Sequence, residues 1–114
     1  LAEAYNASEV FVITSTSETQ SLVTMQALAC GLPVVAVGAR ALPEYVNSKN
    51  GAIVEAGNSE AVAEKIIHLL THPAERKKLG MGGRESAEQY STPVIAAAWE
   101  SIYLEARKRY NEKP

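Results

Sequence analysis

The residues best suited to chemistry lie in one short stretch. Ser15, Thr16, Ser17, Glu18, Thr19 and Gln20 form a run of six polar residues. They stand between an apolar run, Val10-Phe11-Val12-Ile13, and the apolar residues Leu22, Val23, Met25, Leu28 and Ala29 at helical spacing. The pattern predicts a strand, a polar loop and a helix, in that order. The first turn of a helix leaves backbone N–H groups without intrahelical partners, and the macrodipole adds partial positive charge there. Residues around Thr19 to Val23 therefore offer a phosphate cradle that needs no basic side chain. The same residues also allow plain capping, with Ser17 and Gln20 as a capping box or Thr19 as the N-cap. Glu18 either complements the helix dipole, a contribution of roughly 0.3–1 kcal/mol, or accepts hydrogen bonds from ligand hydroxyls, as in sugar recognition. Gln26 lies about two helical turns further on. It is either a surface residue or a polar group aimed at the same cleft.

The elements that must position these residues follow from the rest of the chain. A first helix ends near Ser8, with Leu1, Ala4 and Tyr5 on one face, and a strand covers Val10 to Thr14. The helix after the polar loop runs from Ser21 to Cys30, where Gly31 stops it and Pro33 keeps the chain extended into a second strand ending at Val37. Pro43 to Val46 form one helical turn, Asn47 to Gly51 a turn, and Ala52-Ile53-Val54 a third strand. Asn58 or Ser59 caps a helix over Glu60 to Thr71, with Ala61, Val62, Ile66, Leu69 and Leu70 as its apolar stripe. Pro73 restarts a helix whose middle is weakened by Gly80, Gly82 and Gly83. Ser91-Thr92-Pro93 opens a terminal helix through Arg107, with Ile95, Trp99, Ile102, Tyr103 and Ala106 expected as its buried face. Strands alternating with helices predict an α/β fold with three parallel strands and right-handed crossovers. Polar residues between a strand's carboxyl end and a helix's amino end occupy the usual ligand position of such a sheet.

At 114 residues the chain is one domain with a modest core. A net charge of −2 provides no electrostatic footprint for nucleic acid or an anionic membrane. No apolar run is long enough for a transmembrane segment. The start at Leu1, inside a helix, suggests a fragment. The single cysteine, Cys30, cannot form an internal disulfide and is expected as a small buried residue. All thirteen acids are glutamates, which excludes an Asp-x-Asp magnesium motif and an EF-hand loop within this segment. His68 and His72, at i,i+4 spacing, could bind zinc only as a pair, because no acidic or thiol ligand completes the set nearby. Solvated surface histidines are the expectation, with no metal and no cofactor.

The run SETQSLVTMQALACGLPVVA, Ser17 to Ala36, resembles the signature of the retaining nucleotide-sugar glycosyltransferases with the GT-B fold, often called family 4. That signature has a Glu, seven residues, a second Glu, then Ala-x-Ala-x-Gly-x-Pro-Val. The resemblance extends to Leu42-Pro43-Glu44-Tyr45-Val46, to Gly51 through Asn58, and to the opening Leu1-Ala2-Glu3-Ala4-Tyr5 and Ala7 to Val12. It implies that residues 1–114 are the carboxyl-terminal portion of a Rossmann-like, nucleotide-sugar-binding domain, a parallel sheet with flanking helices and the terminal helix. By this resemblance Glu18 is the catalytic-site acid and, with Thr19 and Gln20, contacts the donor sugar. Backbone N–H groups of Ser21, Leu22 and Val23 hold the donor diphosphate, and the second acid binds the ribose.

That second acid is Gln26 here, which can still bind a diol through its amide but brings no charge. Arg40-Ala41 replaces the paired glycines that usually precede the Leu-Pro-Glu segment, and Arg40 is either solvated or reaches toward phosphate or acceptor. The family's upstream Gly-Arg loop and basic pair are not in the sequence, nor is the facing amino-terminal domain. The resemblance implies metal-independent transfer, with retention, from a nucleoside-diphosphate sugar to a hydroxyl of an acceptor sugar, lipid or glycoconjugate bound through that missing domain. The isolated chain is expected to be inactive. A cytoplasmic location is expected, with peripheral membrane attachment of a longer protein left open. The rivals are a GT-B phosphorylase or sugar synthase, a non-catalytic nucleotide-sugar-binding module, and a subdomain whose terminal helix packs across to another domain.

Overall fold

The computed structural model describes residues 1–112. Three strands, β1 (Phe11–Ile13), β2 (Val34–Val37) and β3 (Gly51–Val54), form a parallel sheet in the order β1-β2-β3. Phe11 is opposite Val34, and Val34 in turn opposite Gly51. The helices are α1 (Ala2–Asn6), α2 (Leu22–Ala29), α3 (Leu42–Tyr45), α4 (Ser59–Thr71), α5 (Pro73–Glu88) and α6 (Thr92–Asn111). The α/β alternation expected from the sequence is present, with the first strand shorter and the third beginning one residue earlier.

The sheet is covered on both faces. β2 is buried along its whole length, as Val34-Val35-Ala36-Val37 requires for a central parallel strand. From Val34 to Ala36 its side chains alternate between two cores, and Val37 joins the first of them. Val34 and Ala36 pack with Leu28, Leu42 and Val46, while Val35 packs with Leu69 and Leu79. The side chain of Asn58 caps α4, accepting the Ala61 N–H at 3.0 Å. Of the apolar stripe expected on α4, Leu69 is buried and Leu70 is exposed. Cys30 is half-buried rather than buried and carries a free thiol.

Three local expectations are overturned. First, α2 buries only part of its apolar set, Leu28 wholly and Met25 in part. It buries Thr24, Ala27 and Leu28, and leaves Leu22 and Val23 exposed. The buried N-cap Ser21 pairs its hydroxyl with Thr24 Oγ1 at 2.7 Å, so two polar groups enter the core fully satisfied. Second, the three glycines do not interrupt α5, and they seat it. A Cβ at Gly80 would stand 2.2 Å from the carbonyl oxygen of Gly31, and one at Gly82 would stand 2.0 Å from that of Lys49. Third, the expected buried face of α6 is not buried. Ile95, Trp99, Ile102, Tyr103 and Ala106 are exposed, and α6 buries none of its residues, although Ile95 borders a groove shared with α2 and α5. Trp99 and Tyr103 stack on one another with centroids 5.7 Å apart.

Asn50 holds the turn before β3. Fully buried, it accepts the Asn47 N–H at 2.9 Å and donates to the Tyr45 carbonyl at 2.9 Å and to Ser86 Oγ at 3.2 Å. The turn is thereby tied to α5, and α5 in turn braces α2.

Candidate functional site

The polar loop leaves the carboxyl end of β1 and enters α2. Neither capping arrangement expected from the sequence forms. The N-cap is Ser21, and its side chain makes no cap hydrogen bond because its hydroxyl is committed to Thr24. Met25 N–H reaches the Ser21 carbonyl at 3.1 Å, while the N–H groups of Leu22, Val23 and Thr24 have no partner among the described residues. This is the free first turn that binds anions in other proteins. The contrast with α4, whose first turn is capped by Asn58, is internal to the molecule.

Glu18 is half-buried at this turn, with Thr19 and Gln20 exposed beside it. Its backbone carbonyl accepts the N–H of Ala41 at 3.2 Å. That bond draws the loop after β2 against the loop after β1, so both lie at the same carboxyl edge of the sheet. Arg40, immediately before Ala41, has φ of 52°, the only positive φ of a non-glycine residue in the described chain. Ser15 and Ser17 brace the loop locally, the Ser17 N–H lying 3.4 Å from Ser15 Oγ.

Gln26 is exposed on α2. Its Oε1 accepts a hydrogen bond from Tyr5 Oη at 3.3 Å, and the same hydroxyl reaches the Val23 carbonyl at 3.4 Å. Tyr5 escaped the sequence reading as a site residue. Its only signal was an aromatic residue on the inner face of a short helix leading into β1. An apolar groove of about 530 Å3 runs from Gln20, Leu22 and Gln26 toward Arg84, Tyr90 and Ser91 at the α5–α6 elbow. Ser91 Oγ is buried there without a partner.

The histidines lie elsewhere. His68 and His72 stack with centroids 4.0 Å apart, and His68 Nε2 is 2.6 Å from Glu75 Oε2. The hydrogen bond from His68 holds the Glu75 carboxyl below its ordinary value. No three His, Cys, Asp or Glu side chains converge on a metal position among the described residues.

A polar loop and an uncapped helix start at the carboxyl edge of a parallel sheet occupy the usual ligand position of an open α/β fold. Comparison with known proteins makes this specific. The sequence profile described as "Glycosyl transferases group 1" matches residues 1–72. D-inositol 3-phosphate glycosyltransferase of Streptomyces bingchenggensis is 35% identical over 96% of this chain and 24% of its own length. Sucrose-phosphate synthase of Thermosynechococcus elongatus superposes with a TM-score of 0.85 at 30% identity, over 93% of this chain and 27% of that one. A mutant of TarM from S. aureus, solved with fondaparinux, alpha-GlcNAc-glycerol and UDP, superposes with a TM-score of 0.78 at 28% identity, over 90% of this chain and 21% of that one. The chain belongs to the group 1 glycosyl transferases, with the fold of a GT-B carboxyl-terminal domain. It spans about a quarter of the length of the curated relatives it matches. No helix is long and apolar enough to cross a membrane among the described residues.

Proposed function

We propose that this chain is the donor-binding part of a retaining glycosyltransferase that takes a sugar from a nucleoside diphosphate and passes it, without a metal, to an acceptor hydroxyl. The observation that carries the reading is the uncapped first turn of α2 with Glu18 beside it. The N–H groups of Leu22 and Val23, with the Ser21 backbone at the cap, cradle the diphosphate. As the bond from the sugar's anomeric carbon to the diphosphate oxygen breaks, negative charge grows on that oxygen, toward which the helix dipole and these N–H groups are already oriented. The acceptor hydroxyl passes its proton to that departing diphosphate oxygen as it bonds to the anomeric carbon on the face the diphosphate leaves. Glu18, Thr19 and Gln20 take the sugar hydroxyls, and Gln26, steadied by Tyr5, takes the ribose. UDP in the TarM complex supports a uridine nucleotide as the first donor to test.

The acceptor, a sugar, lipid or glycoconjugate, is held by a facing domain, against which the exposed face of α6 packs. Without that domain the reaction lacks positioning and water exclusion, so the chain alone binds donor but does not transfer. In the whole enzyme, Glu18→Ala removes a charged hydrogen-bonding partner of the sugar and lowers transfer by about tenfold to a hundredfold. Nucleoside-diphosphate affinity stays close to wild type. Equal loss of both, measured by product formation and by calorimetry with UDP, would place Glu18 on the nucleotide instead.

A further inference from the structure

Arg40 occupies a backbone conformation that suits it poorly. Its φ of 52° lies in the left-handed region, where a side chain crowds its own carbonyl and glycine is the residue at ease. Strained positions of this kind persist where the surroundings over-determine them, and they concentrate at functional sites. The surroundings here are the Ala41 N–H bonded to the Glu18 carbonyl on one side and the α3 turn, starting at Leu42, on the other. A long cationic side chain is thus rooted one residue from the bond that joins the two loops, at the sheet edge where Glu18 and the free N–H groups of α2 lie.

The charge is not spent among the described residues. Three ion pairs exist among the described residues, made by His68, Arg76 and Arg109, and Arg40 enters none of them. It makes no side-chain hydrogen bond either, whereas Arg76 and Arg84 both donate to backbone carbonyls. It is also exposed. A guanidinium without a partner among the described residues, rooted on a strained backbone at the sheet edge that also carries Glu18 and the start of α2, is suited to paired contacts with an oxyanion.

We infer that Arg40 is a specificity-determining residue that binds an oxyanion in front of Glu18. The oxyanion is either the donor's own diphosphate or a phosphate or carboxylate carried by the acceptor or the transferred sugar. The inference rests on the donor reading of the α2 amino terminus. The test is an NMR titration of the wild-type chain, Arg40→Gly and Arg40→Lys. The probes are UDP alone, then glucose and glucose 6-phosphate in the presence of UDP. Arg40→Gly relieves the left-handed strain and leaves the fold intact, so a loss of affinity is not a loss of structure. Weakening of UDP by about tenfold in Arg40→Gly, with part of it restored in Arg40→Lys, identifies the donor diphosphate as the oxyanion. The same weakening confined to glucose 6-phosphate, with UDP and glucose unchanged, identifies an anion on the sugar or acceptor. Equal binding of all probes by wild type and Arg40→Gly overturns the inference and leaves the donor reading standing. Failure of UDP to bind the wild-type chain overturns both.

Discussion

Replacing Gly80 by alanine sets two effects of opposite sign against each other. In a free helix the change gains about 0.8–1 kcal/mol of propensity. In this structure the new Cβ would stand 2.2 Å from the Gly31 carbonyl oxygen, where ordinary contact begins at 3.4 Å. α5 would have to withdraw by roughly 1 Å, far up the repulsive wall of a packed contact. Gly31 cannot retreat in its place, because its φ of 79° sets the turn out of α2 and its N–H is bonded to the Leu28 carbonyl at 2.9 Å. Nor can α5 tilt about residue 80, since Gly82 and Gly83 make close approaches of their own to Lys49 and Leu28. Overpacking of this kind costs about 1–3 kcal/mol, and more when backbone is the obstacle. With backbone as the obstacle the upper part of that range applies, about 2–3 kcal/mol, so the clash outweighs the propensity gain and leaves a net loss of about 1–2 kcal/mol. For a chain near 100 residues this is a fall in Tm of about 4–15 °C. Thermal and urea unfolding followed by circular dichroism measure it directly. A Tm equal to or above wild type would show that α5 is not seated on Gly31, and the bracing of α2 would have to be reassigned.

Further outcomes follow from the same packing. Asn50→Ala removes two part-buried hydrogen bonds, from the Asn47 N–H and to the Tyr45 carbonyl, and costs about 1–3 kcal/mol by urea unfolding. A change below about 0.5 kcal/mol would mean that the turn holds without it. Trp99→Ser, by contrast, leaves the stability of the 114-residue chain within about 0.5 kcal/mol, because the indole is exposed. A large loss on unfolding would return α6 to the core.

What the sequence shows and what it hides differ by the range of the interactions involved. The strands and the start of α2 are local: β2 is apolar at every position because both faces are covered, and the polar run ends where Ser21 enters the helix. The choice of face on α2 is not local. Period alone favoured the larger side chains, but Ser21 and Thr24 satisfy one another and so can be buried, which frees Leu22 and Val23 for the surface. The glycines of α5 look like helix weakeners until Gly31 and Lys49 supply backbone for them to meet. Asn50 looks like any turn asparagine until Ser86, thirty-six residues away, completes its bonding. α6 has the stripe of a buried helix, yet its apolar residues stay exposed among the described residues. At the site itself, the residue types of Glu18 and Gln26 were legible. Two things were not: that nothing caps α2, and that Ala41 brings Arg40 beside Glu18.

The most direct test of the account is an amide NMR titration of the chain with UDP. Three helices follow strands of the sheet at its carboxyl edge: Asn58 caps α4, no side chain caps α2, and α3 is a single turn with Pro43 in its first positions. Binding at the free turn predicts the largest shift changes at the amides of Leu22, Val23 and Thr24 and in the loop at Glu18, with Ser59 to Ala61 unmoved. Shifts centred on the α4 start, or none at the α2 start at saturating UDP, would contradict it.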